Sequence, residues 1–424
     1  MLEAVNRRID SKRSDLVSLT VDLVRIPTIN PPGDAYTPCA EYIARRLKAR
    51  GFHVQLMRGE ETPGDSDRYP RTNVVARLEG KRPGPTIHFN SHIDVVEAGS
   101  GWTFDPFGGE IRDGRIYGRG TCDMKGGLAA SIIAVEAYIE ANSNFDGAIE
   151  ISGTVDEESG GFGGVAYLAS KGLFSKPRVD HVIIPEPLNK DRVCLGHRGV
   201  WWAEIETFGT HAHGSMPFLG DCAVRHMGSV VTKMEEDLYP LLASKRTDMP
   251  VVPEGAKQST LNINSVHGGE NEGFDGLPSA NVPDSCRMII DRRFLIEEDI
   301  ATVKSEVIDL LEGLRKDREN FSYAIRDIME VLPTMTDRDA PVVQAVSDGI
   351  RSVMEREPDY VISPGTYDQK HIARIGHLHD CIAYGPGILD LAHMADEFIV
   401  IDDMIESAKV MAHATHALLH PLSL

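Results

Sequence analysis

Three short runs rich in β-branched and apolar residues, at 86–89, 148–155 and 181–184, alternate with helix-period segments at 127–141 and 165–173. Strands this short and this apolar belong inside a sheet covered on both faces, and a helix between successive strands makes them run parallel. The pattern predicts an α/β layer with a largely parallel sheet, preceded by helical stretches at 17–26 and 40–47. The texture changes after Gly196. A strand at 200–206, a helix at 223–238, strands at 260–266 and 287–293 and a helix at 300–314 supply five elements of a compact β-α-β-β-α-β order, the signature of a small ferredoxin-like domain. Periodicity resumes at 341–354, 380–384 and 404–419, so the outer domain closes after an insertion. The expected division is residues 1–197 and 332–424 for the α/β domain and 198–331 for the insert. A chain of 424 residues also exceeds what one core supports.

The charge balance excludes some partners. With 44 Lys+Arg against 64 Asp+Glu the formal net charge is -20, a field that repels phosphate backbones and anionic lipid, so no nucleic-acid partner is expected. No membrane partner is expected either: the most apolar window, 127–141, is shorter than the roughly 20 residues a spanning helix needs and carries Glu136. Residues 1–15 lack the apolar stretch of a signal peptide. Six scattered cysteines, Cys39, Cys122, Cys194, Cys222, Cys286 and Cys381, form no C-x-x-C pair, which fits a reducing, cytoplasmic setting.

Residues able to bind metal sit at strand ends and in loops, where a rigid scaffold can aim them at one point. His92 ends the first strand, and Asp94, two residues on, lies on the same side, where its carboxylate can bond the distal imidazole nitrogen. Asp123 lies in Gly118-Arg119-Gly120-Thr121-Cys122-Asp123-Met124-Lys125-Gly126-Gly127, whose glycines let the backbone turn tightly before a helix. A phosphate loop is the rival reading. It is set aside because G-x-x-x-x-G-K-[ST] is absent and because no strand is predicted immediately before the glycines. Asp156-Glu157-Glu158 follows the apolar run at 148–155. An acid run is usually a solvated turn, but one at the C-terminal edge of a buried strand, followed by Gly160-Gly161-Phe162-Gly163-Gly164, occupies the expected active-site position of an open α/β sheet. Glu186, between two prolines, and His393, after Gly385-Pro386-Gly387, complete the candidates. Cys122 neighbours Asp123, but its side chain should point the other way.

The stretches 101–107, 113–120 and 123–127, together with His92-Ile93-Asp94-Val95-Val96, resemble the M20-type metallopeptidases, the family of aminoacylase, acetylornithine deacetylase, succinyl-diaminopimelate desuccinylase and glutamate carboxypeptidase-like enzymes. Asp156-Glu157-Glu158, Glu186-Pro187, the segment 213–220 and Ala392-His393 recur in the family's order, so the resemblance covers nearly the whole chain. It implies a zinc-peptidase-like three-layer catalytic domain with an inserted ferredoxin-like lid and dimerisation domain, hence a homodimer. It also implies two divalent metal ions, one held by His92, Asp123 and Glu186, the other by Asp123, Glu158 and His393. Mixed N/O ligands without thiolate suit Zn, Mn or Co, and two such ions about 3.5–4 Å apart can share a nucleophilic water. Glu157, uncoordinated beside Glu158, is then the general base, with Asp94 as a further catalytic residue. The implied chemistry is hydrolysis of a non-peptide, amide-type C–N bond in a small molecule such as an N-acyl amino acid.

Within the insert, the loop Gly209 to Pro217 is similar to the family's loop that carries a histidine into the partner subunit's active site, and the match falls on His213. Such a donor to a developing oxyanion is worth on the order of 3–4 kcal/mol. Asn262 and Arg293 are the implied contacts to a substrate carboxylate or oxyanion, with a structural ion pair as the alternative for Arg293. The family's Gly-Gly-Thr-Ser-Asp-Ala-Arg stands here as Pro364-Gly365-Thr366-Tyr367-Asp368-Gln369-Lys370. Gly365, Thr366, Tyr367 and Lys370 are therefore expected at the substrate. Lys370 offers a point charge where an arginine fork would grip a carboxylate, and Tyr367 offers either a pocket-wall ring or core packing. Tyr367, Lys370, Trp201 and Trp202 motivate a second reading, an amidase or aminohydrolase on a non-peptide, aromatic substrate. A catalytically silent metal-binding homologue is the reading from another class, and the intact Glu157 and ligand set count against it.

Overall fold

The computed structural model describes residues 1–249, 251, 253–269, 275–277 and 279–420. The chain divides into two compact units: Met1–Gly196, Met335–Val361 and Tyr367–Leu424 form the first, and His197–Thr334 with Ile362–Thr366 the second.

In the first unit the central strands Ala148–Thr154, Thr86–His92, His181–Ile184 and Cys381–Ala383 lie side by side and parallel. Their flanks are antiparallel. Thr72–Glu79 pairs with Ala148–Thr154 on one side and with His53–Arg58 on the other, and Arg192–His197 pairs with Cys381–Ala383. The sheet is thus mixed rather than largely parallel. No helix separates Arg58 from Thr72, so the chain reverses instead of crossing over. Every position of Thr86–His92 and of Ala148–Thr154 is buried, as expected of strands covered on both faces. Helices Gly126–Ala141 and Ile401–Leu419 pack on Thr86–His92, and Tyr36–Ala49 packs on Thr72–Glu79. The α/β layer interrupted by an α+β insert is the fold class that the periodicity and the resemblance predict.

One face of the two central strands is polar, which their apolar appearance conceals. His88 pairs with Glu150, and Asn90 with Ser152, in the parallel register. His88 is hydrogen-bonded through Nδ1 to Glu150 (2.9 Å) and through Nε2 to Ser152 (2.7 Å). Ser152 donates to Asn90 Oδ1 (2.7 Å), and Asn90 Nδ2 donates to Asp368 Oδ2 (3.0 Å). Glu150 is fully buried and also meets Arg77 (2.8 Å) and Arg178 (2.7 Å). Helix Gly126–Ala141 is buried from Gly126 to Tyr138, and the one acid in that buried stretch, Glu136, is matched by Arg46 (2.8 Å) and Arg50 (3.3 Å).

The second unit holds a four-stranded antiparallel sheet in the order Thr260–Gly268, Ser285–Phe294, Gly199–Phe208, Ser322–Val331. With helices Ala223–Lys233 and Ile300–Asp317 this is the ferredoxin-like order. Alternate residues such as Ala203, Ile205, Met288 and Ile290 meet Met227, Val230, Val303, Val307 and Leu311 in one core. Period-2 strands and period-3.6 helices thus bury one face each.

Burial works to raise the Glu150 carboxyl, but its bonds to His88 and Arg77 hold it below the ordinary glutamate range. A depressed carboxyl contributes stability that is present above its unfolded value, about 4.5, and is lost as pH falls below it. Glu150→Gln is expected to cost about 1–3 kcal/mol at pH 7 by urea unfolding and to flatten the acid limb of stability. An unchanged midpoint together with an unchanged acid limb would contradict this.

Candidate metal centre

The parallel strands deliver their acids to one edge. Thr86–His92 ends at His92, Ala148–Thr154 runs into Asp156-Glu157-Glu158, His181–Ile184 into Pro185-Glu186, and Asp123 lies just before helix Gly126–Ala141. Gly127 lets that helix approach closely, since a Cβ there would stand 2.0 Å from the Pro185 carbonyl oxygen. A short strand, Arg115–Tyr117, does lead into Gly118, so only the missing G-x-x-x-x-G-K-[ST] pattern argues against a phosphate loop.

Two groups of side chains, His92, Asp123, Glu186 and Asp123, Glu158, His393, each bring their ligand atoms within 4.8 Å of one another. Asp123 belongs to both. Its Oδ1 lies 3.0 Å from His92 Nε2, and its Oδ2 lies 3.7 Å from His393 Nε2. His92 Nε2 is 4.0 Å from Glu186, and His393 Nε2 is 3.1 Å from Glu158. Burial pushes the Glu158 carboxyl up to about 7 and, aided by Asp123, drives Glu186 well above its ordinary value. His92 is raised well above its own value although burial opposes this, because Asp123 bonds it and Glu186 lies close. A site that holds extra protons this firmly is short of positive charge. Imidazoles and carboxylates without thiolate fit Zn, Mn or Co. The Cys122 sulfur is turned away to the backbone of Ile388 (3.1 and 3.2 Å).

The supporting contacts differ from expectation at Asp94. His92 Nδ1 bonds the Asp94 backbone carbonyl (3.0 Å), not its carboxylate, which lies 3.6 Å away. That carboxylate instead accepts the amides of Glu157 (3.2 Å) and Glu158 (3.1 Å) and the Asn30 side chain (2.9 Å), so it fixes the acidic turn. Asp156, at φ +64°, is clamped by Arg71 (3.1 Å) and Tyr36 (3.0 Å). Glu157 joins neither group of ligands, and its Oε1 lies 3.3 Å from Lys370 Nζ.

The remaining expected contacts divide between the units. Tyr367 is buried, with its hydroxyl donating to Gln369 Oε1 (2.6 Å), so the ring is packed in the core. Lys370 is buried against Glu157. Gly365 and Thr366, half-buried, belong to the second unit, as do His213, Asn262 and Arg293. His213 and Asn262 are exposed; His213 Nδ1 accepts from Ser215 Oγ (2.8 Å), and Asn262 donates to Asn264 (2.7 Å). Arg293 makes two bonds to Asp291 (2.7 and 3.0 Å), the ion pair weighed as the alternative. Sequence reasoning passed over Asn30, Tyr36, Arg71, Arg119 and Glu397. All five are buried polar groups tied to the loops above, and their partners lie too far along the chain to leave a local signal.

Comparison with known proteins identifies the family. The family model described as Peptidase family M20/M25/M40 matches residues 88–417. The chain belongs to that family and is a hydrolase of it. It is 30% identical over 404 residues to a succinyl-diaminopimelate desuccinylase of Rhodospirillum centenum, covering 92% of this chain and 94% of the relative. Human carnosine dipeptidase 1 shares the fold at a TM-score of 0.76 and 19% identity, with 99% of each chain covered. A Bacillus subtilis protein described as a dinuclear metal-binding peptidase of the M20 family shares it at 0.66 and 14% identity, covering 96% of this chain and 99% of that one. Among the described residues no helix is long and apolar enough to cross a membrane, and all six cysteines are free.

Because protons and divalent cations compete for the same oxygens, metal binding should release protons. Apparent affinity should fall as pH drops from about 8 to 6 through the Glu158 value near 7. Calorimetric titration in buffers of different ionisation enthalpy checks this, and pH-independent affinity without proton release would contradict it.

Proposed function

We propose that this chain is a two-metal amide hydrolase acting on N-acyl amino acids, working in the cytoplasm as a homodimer joined through the inserted unit. The observation that carries the reading is Asp123, which turns one oxygen to each of two ligand groups. The desuccinylase relative and the dinuclear neighbour support it. His92, Asp123 and Glu186 hold one ion, and Asp123, Glu158 and His393 the other. Divalent cations at this position polarise a carbonyl oxygen and make water acidic enough to yield its proton near neutral pH.

Glu157 is the general base. The Asp94 carboxylate holds its backbone, and its own carboxylate takes the proton of the attacking water. As the C–O bond forms and the C–N bond breaks, the same proton passes to the leaving nitrogen, giving a carboxylic acid and an amine. His213, contributed by the partner subunit, donates to the oxyanion. The resemblance is the ground for assigning Asn262, Arg293, Gly365, Thr366 and Lys370 to the substrate's carboxylate end; of these, Arg293 is paired with Asp291 and Lys370 with Glu157. A dipeptide is itself an N-acyl amino acid, so the same machinery accommodates peptide and non-peptide acyl groups. The aromatic-substrate reading loses its main support with the Tyr367 ring in the core.

Glu157→Gln should lower turnover by about 10²–10⁴-fold with metal content unchanged; near-normal turnover in a metal-replete variant would refute its role. Pairing a His213→Ala subunit with a Glu157→Gln subunit should restore one working site per dimer, whereas no recovery in the mixed dimer counts against action in trans. Amine release from a panel of N-succinyl, N-acetyl, N-carbamoyl and dipeptide substrates under Zn, Mn and Co identifies the acyl group. Activity toward none of them would remove the N-acyl assignment.

A further inference from the structure

Arg119 and Glu397 form an ion pair in which the side chains are 2% and 0% exposed, with Nη1 to Oε2 at 2.6 Å. Buried pairs of this kind often stabilise a fold no better than apolar residues of the same size, so the contacts around the pair bear on its role. The other oxygen of Glu397, Oε1, accepts the backbone N–H groups of Cys122 (2.8 Å) and Asp123 (3.2 Å). Its backbone carbonyl accepts the N–H of Gly118 (2.9 Å). Arg119 Nη2 donates to the carbonyls of His393 (3.1 Å) and Ala98 (3.1 Å), and Nη1 donates also to Met394 (3.2 Å). The guanidinium lies 5.2 Å from the centroid of the Trp102 ring.

The pair thus grips the backbone on both sides of the second ligand group. Glu397 holds the peptide units that carry Asp123, and Arg119 holds the carbonyl of His393, which sits at φ +64°. A non-glycine residue in that region persists only where its surroundings impose it. His393 is half-exposed at the side chain and lies in a turn outside helix and strand, so the Arg119 bond ties down its backbone while Glu158 meets its ring. We propose that Arg119 and Glu397 are positioning residues for the metal centre: a clamp that sets the separation of Asp123 and His393 and thereby the affinity of the ion they share. The proposal rests on the two-ion reading above. Planarity is what the clamp requires of Arg119, because a lysine can answer Glu397 but cannot also reach three carbonyls.

Arg119→Lys keeps the charge pair, whereas Glu397→Gln keeps one oxygen for the amides but removes the counter-charge of Arg119, so the fold of each variant is checked first. Metal-free protein of each variant, checked for fold by circular dichroism and thermal melting, is titrated with Zn or Mn, and bound metal is counted by mass spectrometry. Wild type should take up two ions. Arg119→Lys should weaken one of the two by about 10–100-fold and spare the other, while Glu397→Gln, acting on the shared Asp123, should weaken both. A general loss of stability would not single out one ion. Two ions bound with wild-type affinity in either folded variant would overturn the clamp and leave the two-ion reading standing. Wild type that binds no divalent ion would overturn both.

Discussion

Asp123, Glu158 and Glu186 are forced into one largely buried volume, where carboxylates repel one another and burial penalises each charge. Such an arrangement persists only with positive charge beside it. His92 and His393 supply part of that charge when protonated, and a divalent cation in each group of three would supply the rest. The raised carboxyls of Glu158 and Glu186 are the mark of this shortage, and much of the surrounding structure holds the acids together against it.

The sheet solves the placement problem through direction. Parallel strands end on the same edge, so His92, the 156–158 turn and Glu186 arrive together without long excursions of the chain. Backbone amides and buried ion pairs then fix what the strands deliver. Asp94 caps the amides of Glu157 and Glu158, Arg71 and Tyr36 hold Asp156, and the Arg119–Glu397 pair spans the Asp123 and His393 loops. Glu157 stands outside both ligand groups and is set against Lys370.

The ligand candidates were legible because each sits at a strand end or after a glycine-rich turn, where local sequence signals position as well as chemistry. Five of the six elements of the insert's β-α-β-β-α-β order were legible for a similar reason, since each shows its own period, while the last strand, Ser322–Val331, was not picked out. Asp94 was misjudged in detail: spacing places its carboxylate near His92, but only the folded chain brings the Glu157 and Glu158 amides within closer reach. Tyr367 could not be assigned to pocket or core from sequence, because the decision rests on Gln369 and Cys194 packing around its hydroxyl. The polar ladder from Glu150 to Asp368 stayed hidden for the opposite reason. Single polar residues in an apolar strand look like noise until the parallel register aligns them. Lys370 read as a substrate cation from its motif, and its proximity to Glu157 arises from a fold contact between residues far apart in the chain.

The measurement that bears most directly on the centre is anomalous diffraction at the metal edge from crystals grown with Zn or Mn. The account predicts two peaks, one among His92, Asp123 and Glu186 and the other among Asp123, Glu158 and His393, with Asp123 touching both. No peak at these side chains, or ions bound only elsewhere, would contradict it.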